Sequence, residues 1–208
     1  MKILVSAGPT REYFDSVRFI TNASSGRMGY AIAREAARAG HEVTLVSGPV
    51  ALKAPPGVTL VPVTTAEQMA DACKRAFRQA DAAVMAAAVC DERPTDPARL
   101  KKPKRSGRQR VVLESTEDIA AALGRRKGRR LLIGFAMEDH DGLRHAEAKL
   151  RKKKCDLIVL NGLDSLGGNK AVVALFSSES GWSEPMAGTK TSIARLIVRR
   201  IEALAAGR

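Results

Sequence analysis

Short apolar runs alternate with amphipathic stretches along almost the whole chain, and this alternation constrains the fold more than any other feature. The apolar runs predict strands at 2–8, 42–48, 58–63, 82–89, 131–137, 157–163 and 172–177. The stretches between them predict helices at about 27–39, 66–79, 117–126, 142–155 and 189–205. Several runs are apolar on both faces, as parallel strands covered by helices on both sides are. The sequence therefore predicts an α/β fold with a doubly wound, mostly parallel, Rossmann-like sheet and helices on both faces.

The C-terminal part of the pattern differs from the rest. A turn through Ser180, Gly181 and Trp182 predicts a hairpin, and with it a small antiparallel extension of the sheet. The full length of 208 residues suits one large domain, so we expect residues 1–208 to form a single domain.

Two connections are longer than the usual βα loop of about 2 to 6 residues. Residues 9–25 separate the first strand from the first helix, and residues 90–110 follow the strand that contains Ala86, Ala87 and Ala88. Both segments leave the carboxyl ends of strands, where open α/β sheets bind their ligands. We therefore expect the first to be a structured functional loop and the second to be a flap over the site.

The first long loop ends in the sequence NASSGRMG at residues 22–29, at the start of a predicted helix. Free backbone N–H groups in a first helical turn, the helix dipole and two serine hydroxyls together favour a phosphate. The spacing matches neither a dinucleotide fingerprint nor a Walker A loop, and serines before a helix are also common as N-caps. By spacing alone, both interpretations remain open.

The net charge of +13 indicates a polyanionic partner, such as a nucleic acid, an anionic membrane or a phosphorylated small molecule. Aromatic residues make up only 4% of the chain, too few for a binder of single strands by base stacking. No apolar run is long enough for a membrane span or a signal peptide, so we expect a cytoplasmic protein. Three cysteines without a C-x-x-C pair suit a reducing compartment, and three histidines lack zinc-site spacing. We expect no protein-built metal site, and any metal should arrive with a substrate.

Several segments, in this order, strongly resemble the phosphopantothenoylcysteine synthetase family, also called phosphopantothenate-cysteine ligase. They are AGPTREYFDSVRFITNASSGRMGYAIA, EVTLVSGPVALKAPPGV, AAAVCDERP with Lys101 ten residues after Asp91, STEDI, GFAMED and KLRKKKCDLIVLN. The resemblance runs from residue 2 to about residue 200. It implies a ligase of coenzyme A biosynthesis that joins 4'-phosphopantothenate to L-cysteine through an acyl-nucleotide intermediate and releases pyrophosphate.

The resemblance also implies roles for individual residues. Asn22 would act on the acyl-nucleotide intermediate, and Lys101 would be a catalytic lysine on the flap. The implied nucleotide-binding residues are Gly8, Ser24, Gly26, Gly29, Ala86, Ala87, Asp91, Phe135, Lys149 and Lys153. The implied substrate-binding residues are Asn22, Ala87, Ala88, Asp91 and Arg18.

The family further implies CTP as co-substrate rather than ATP, Mg²⁺ bound with the nucleotide, and no flavin. It implies a homodimer, with Arg18, Phe19 and Ile20 at the interface, and no membrane or nucleic-acid partner. In many bacteria the synthetase is fused behind a flavin-dependent decarboxylase, so a separate decarboxylase is a further expected partner.

Two other classes compete with this interpretation. A nicotinamide-dependent oxidoreductase would share the fold, but it should have a Gly-rich turn soon after the first strand and an acidic residue at the end of the second. A nucleic-acid-binding protein would account for the charge, and its binding should weaken steeply with salt.

Overall fold

The computed structural model describes residues 1–104, 106–162 and 167–208. Within these residues, nine strands form one sheet with the order β12-β11-β10-β9-β6-β1-β4-β5, and β13 pairs beside β12 on the outer edge of β11. Six neighbouring strands, β5, β4, β1, β6, β9 and β10, are parallel. Counted along the chain, their order is 3-2-1-4-5-6, the arrangement of the classical dinucleotide-binding sheet.

The elements have the following bounds. The strands are β1 (Lys2–Ala7), β2 (Arg11–Tyr13), β3 (Phe19–Thr21), β4 (Glu42–Ser47), β5 (Val58–Pro62), β6 (Ala82–Met85), β7 (Glu92–Pro94), β8 (Leu113–Ser115), β9 (Leu131–Met137), β10 (Leu157–Asn161), β11 (Lys170–Ser177), β12 (Gly181–Trp182) and β13 (Met186–Thr189). The helices are α1 (Arg27–Arg38), α2 (Ala66–Phe77), α3 (Ile119–Arg125), α4 (Gly142–Lys153) and α5 (Lys190–Ala206).

Alternate residues of the central strands enter two separate hydrophobic cores. In β1, Ile3 and Val5 pack in the core that includes α1 and α5, whereas Leu4 packs in the core that includes α2, α3 and α4. Successive strand side chains point to opposite faces, so a strand that is apolar at every position needs a helical layer on each side. The predicted doubly wound α/β sheet is therefore confirmed.

The antiparallel extension is also present. Strand β11 runs antiparallel to β10, and the hairpin through Gly181 joins β11 to β12. The predicted strand at 157–163 is observed as β10, Leu157–Asn161, and its predicted last residue, Leu163, lies outside the described residues.

One predicted strand, 82–89, ends early. Strand β6 stops at Met85, because the chain then leaves the ladder towards the end of β1. There the hydroxyl of Ser6 accepts the N–H of Ala87 at 3.2 Å, and the carbonyl of Gly8 accepts the N–H of Ala88 at 2.9 Å. Ala86, Ala87 and Ala88 consequently lie at the carboxyl edge of the sheet.

Two short antiparallel pairs that sequence periodicity did not predict accompany the long connections. Strands β2 and β3 pair within the first loop, and β7 and β8 pair at the base of the flap. The helices of the described residues include none that is long and apolar enough to cross a membrane.

Candidate functional site

A cavity of about 530 Å³ opens at the carboxyl edge of the sheet, where the strand order reverses between β1 and β6. Two chain segments leave this point in opposite directions and open a crevice between them. The lining includes most of the residues expected at the site: Asn22, Ser24, Gly26, Gly29, Ala86, Ala87, Ala88, Asp91, Phe135, Lys149 and Lys153.

The first turn of α1 forms one wall of the cavity. Gly26 is the N-cap residue in a left-handed conformation with φ of +71°, and the helix has no side-chain cap. The hydroxyl of Ser24 accepts the N–H of Gly26 at 3.3 Å, so this serine does not act as an ordinary N-cap. The first-turn N–H groups are therefore left without a side-chain acceptor and are available to an anion.

Two glycines bring α1 close to the end of β1. A Cβ at Gly29 would lie 2.5 Å from the Cβ of Ala7, so only glycine permits this helix–strand contact. Gly8, at the turn after β1, does not line the cavity, but its Cα would lie 3.3 Å from a Cβ at Gly26. Gly8 and Gly29 thus hold the wall of the cavity in place by close packing.

Asn22 lies at the rim of the same wall. Its Nδ2 donates to the carbonyls of Ala88 at 3.2 Å and Val89 at 2.9 Å, which joins the first loop to the end of the β6 segment. Because these two carbonyls orient the amide, its Oδ1 is the atom without a partner among the described residues. The Asn22 side chain is thus positioned by backbone groups of the segment that follows β6.

The opposite wall carries lysines paired with carboxylates. Lys153 Nζ lies 3.0 Å from Asp118 Oδ2, and Lys149 Nζ lies 3.9 Å from Glu138 Oε1. Burial alone would raise the pKa of Asp118, but the Ala121 N–H and the Lys153 ammonium outweigh it and hold that pKa below its usual range. Burial and the neighbouring Lys153 lower the pKa of Lys149.

Three of the expected site residues do not line the cavity: Gly8, Arg18 and Lys101. Lys101 is an exposed flap residue, and the Arg18 side chain forms its hydrogen bonds outside the cavity. The Arg18 guanidinium pairs with the Asp15 carboxylate and donates to the carbonyl of Lys102 at 2.9 Å. The structure therefore places Arg18 as a link between the first loop and the flap.

The lining residues that were not predicted from the sequence include the charged or polar residues Arg27, Glu117, Asp118, Asn161 and Lys190. Asp118 carried a detectable signal, since it is the N-cap of α3 and accepts the N–H of Ala121 at 3.0 Å. Asn161 and Lys190 carried no signal in the sequence. In the local pattern, Asn161 is only the end of a predicted strand and Lys190 only the start of a predicted helix.

The acidic residues on the cavity wall are Asp91, Glu117 and Asp118. Among the described residues, no group of three or more histidines, cysteines or acids is arranged to hold a metal ion. The long loop between β1 and α1 also differs from the tight glycine-rich turn that dinucleotide-binding enzymes place there.

Comparison with known proteins assigns the chain to a family. Residues 1–204 match the family described as DNA/pantothenate metabolism flavoprotein C-terminal domain. The coenzyme A biosynthesis bifunctional protein CoaBC of Mycobacterium bovis is 42% identical over 226 residues, which cover 99% of this chain and 53% of that protein. A protein named cysteine/cysteine sulfinic acid decarboxylase, from an unknown prokaryotic organism, is 40% identical over 96% of this chain and 57% of its own length. The chain thus spans little more than half of these curated relatives.

A solved structure gives the same assignment at the level of the fold. The crystal structure of the C-terminal domain of a CoaBC protein is 40% identical, covers 100% of this chain and 96% of that one, and superposes with a TM-score of 0.85. The chain therefore belongs to the family of the DNA/pantothenate metabolism flavoprotein C-terminal domain, the phosphopantothenoylcysteine synthetase unit of the bifunctional CoaBC proteins.

Proposed function

We propose that the chain joins 4'-phosphopantothenate to L-cysteine in two steps and consumes a nucleoside triphosphate. The observation that carries this proposal is one cavity with an uncapped helix N-terminus on one wall and lysines on the other. In the first step a substrate carboxylate oxygen attacks the α-phosphorus, the bond to pyrophosphate breaks, and an acyl-nucleotide forms. In the second, the cysteine amine attacks the acyl carbon, the nucleoside monophosphate leaves, and an amide forms.

The first step brings one anion against another, so its transition state needs positive charge and preorganised donors. The free N–H groups of α1 and the ammonium groups of Lys149 and Lys153 supply both. We assign Asn22 to the acyl-nucleotide, because its amide is held in one orientation and carries no charge to repel it. We assign Lys101 to phosphate charge, which its ammonium reaches only when the flap closes.

Mg²⁺ would enter with the nucleotide. Asp91, Glu117 and Asp118 are the carboxylates available to it on the wall of the cavity, and Asp118 is already paired with Lys153. This donor set suits a magnesium ion that keeps most of its bonds to phosphate and water. When bound, the ion would neutralise charge on the phosphates.

We propose CTP rather than ATP as the nucleotide, as the resemblance to bacterial members implies. The base would lie near Phe135, and lysine and backbone groups would recognise the pyrimidine carbonyl, since a site built around hydrogen bonds rejects a ligand without the matching groups.

The test is incubation with 4'-phosphopantothenate, L-cysteine, Mg²⁺ and either CTP or ATP. We expect pyrophosphate release and a product with the mass of phosphopantothenoylcysteine, at a higher kcat/KM with CTP. Equal or better use of ATP would overturn the choice of nucleotide. Absence of product with both nucleotides would overturn the proposed ligase activity.

We also propose that the chain works as a homodimer. Leu100 in the flap is 80% exposed, Val112 just after the flap is 70% exposed, and Val17 in the first loop is 55% exposed. Large apolar side chains exposed on the first loop and the flap would be covered at an interface between two copies of the chain. Phe19 and Ile20, expected at that interface, are half-buried, and Phe19 packs against Tyr13 within the chain. Light scattering of the active enzyme should give about twice 22.3 kDa, and a mass near 22.3 kDa would refute the dimer.

The product of this reaction would carry the carboxylate of cysteine. We therefore propose that a decarboxylase consumes it, as the bifunctional relatives suggest. Analysis of the two proteins together by mass spectrometry should detect loss of carbon dioxide from the product.

A further inference from the structure

Two largely buried polar residues line the cavity and have no partner for their side chains in the part of the chain that the structure describes. Lys190 and Asn161 are each 8% exposed, and both line the cavity. Among the described residues, neither side chain makes a hydrogen bond or an ion pair. Arg34 Nε is the only side-chain nitrogen or oxygen of the described residues that is fully buried without a hydrogen-bond partner, so the polar atoms of Lys190 and Asn161 keep access to the cavity. Buried polar residues normally have partners, and a ligand in the cavity would supply them here.

Both side chains lie on the same side of the sheet. Asn161 is two residues beyond Val159, which packs in the core with α1 and α5, and successive strand residues alternate between faces. Lys190 is the first residue of α5, where its N–H donates to the carbonyl of Asn169 at 2.8 Å. The register places β10 next to β11, and β11 next to the strand that leads into Lys190.

A second cation lies at this end of the cavity. Arg27, the first residue of α1, lines the wall and donates to Asn169 Oδ1 at 2.7 Å. Burial and then the charge of Arg27 lower the pKa of Lys190. A bound anion would oppose both effects, because it favours the charged form of Lys190.

The charge of the cavity is therefore uneven. The lysines on the α4 wall are paired, Lys153 with Asp118 and Lys149 with Glu138. The carboxylates that line the cavity belong to the segment after β6 and to the start of α3, which packs on the other face of the sheet. No described carboxylate pairs with Lys190 or Arg27, so the uncompensated positive charge lies at the α1 and α5 end.

We propose that Lys190 and Asn161 form a phosphate subsite that, with the start of α1, binds the outer phosphates of a nucleoside triphosphate. The ammonium supplies charge, and the Asn161 amide donates to a phosphate oxygen without titrating. The identity of the ligand as a nucleotide rests on the proposed function, whereas the affinity for a polyphosphate chain does not. The nucleotide would thus lie with its phosphates towards Lys190 and its base towards Phe135.

The test is calorimetric titration of Lys190→Met with CTP, CMP and inorganic tripolyphosphate. Methionine retains the apolar stem and removes the charge. We expect binding of CTP and of tripolyphosphate to weaken about tenfold or more, and binding of CMP by less than about twofold. Lys170→Met is the matched control, because Lys170 is exposed, does not line the cavity, and carries the same charge on the neighbouring strand.

Equal weakening of CTP and CMP, or unchanged binding of tripolyphosphate, would overturn the subsite. If the wild type shows no ligase activity but binds tripolyphosphate in a way that depends on Lys190, only the proposed function would be overturned. If the Lys190→Met variant does not fold, the proposal can still be tested on the wild type. Reductive methylation followed by peptide mass spectrometry should find Lys190 protected by tripolyphosphate and not by CMP, and equal labelling under both conditions would refute the proposal.

Discussion

The carboxylate of Asp15 accepts the backbone N–H of Lys102 at 3.1 Å. This hydrogen bond joins a buried residue of the first long loop to the flap residue that follows Lys101. The same carboxylate accepts the N–H groups of Val17 and Arg18, each at 3.0 Å. It also pairs with the Arg18 guanidinium. One side chain thus contacts both the first loop and the middle of the flap.

Replacing Asp15 should therefore loosen the flap. In Asp15→Asn the charge is lost and Arg18 has no carboxylate partner, so we expect pyrophosphate release to slow by about tenfold, as expected for a mispositioned catalytic group. CTP affinity should change little, because Asp15 does not line the cavity. Asp96→Asn, which removes an exposed flap carboxylate, is the control. An unchanged rate in Asp15→Asn would show that this contact does not position the flap.

The same contact predicts the direction of acid sensitivity. The Arg18 guanidinium, followed by the Val17, Arg18 and Lys102 N–H groups, holds the pKa of Asp15 well below its usual range. A depressed pKa adds stability above the unfolded value of about 3.9, and this stability disappears as the pH falls through the folded value. Urea unfolding should therefore show a constant stability difference between wild type and Asp15→Asn from about pH 7 to 5, and a shrinking one below that range. A difference that grows on acidification would contradict the assignment.

Variants at the two proposed catalytic residues, Asn22 and Lys101, should be slow at different steps of the reaction. Asn22→Asp places a negative charge beside the acyl-phosphate but leaves the first turn of α1 intact, so pyrophosphate release should partly survive while transfer to cysteine is slow. Lys101→Gln removes flap charge and should slow activation itself by about 10² to 10³. Pyrophosphate release without cysteine separates them. Equal retention in both variants, or greater retention in Lys101→Gln, would mean that the two roles are wrongly assigned.

The close approach of α1 to β1 predicts a specific cost. In Gly29→Ala the new Cβ would meet the Cβ of Ala7 at 2.5 Å and the carbonyl oxygen of Ser6 at 3.1 Å. Overpacking of this kind destabilises by roughly 1–3 kcal/mol. Chemical unfolding should show this loss for Gly29→Ala and almost none for Gly162→Ala, where a Cβ would meet no atom of the described residues within 4 Å. Equal stability of the two variants would show that α1 shifts freely.

The three cysteines should be unreactive in the folded protein. Cys73, Cys90 and Cys155 are buried, and burial raises the pKa of Cys73 and of Cys155 to about 12. Burial also raises the pKa of Cys90. Because the thiolate is the reactive form, a disulfide reagent at pH 8 should label no thiol quickly in the native state and all three after denaturation. Rapid labelling of any one would contradict its burial.

The sequence alone determined the local elements and their class. The runs that are apolar on both faces predicted the parallel strands, which a helical layer covers on each side. The order of the motifs predicted the family. It also predicted the wall at Asn22–Gly29, because a helix start and its loop are contiguous in the chain. These features follow from interactions between near neighbours, which periodicity and capping patterns report.

Only the tertiary structure decided which distant residues meet. The strand order brings Asn161, Lys190 and the start of α1 to one end of the cavity. The first loop and the flap meet where Asp15 contacts Lys102, 87 positions apart. The tertiary structure also brings Arg18 to Asp15 and to the carbonyl of Lys102 in the flap, while its role in substrate binding stays a prediction. The physical reason is that such contacts depend on strand crossovers and side-chain pairing between remote segments, which no local pattern of the sequence encodes.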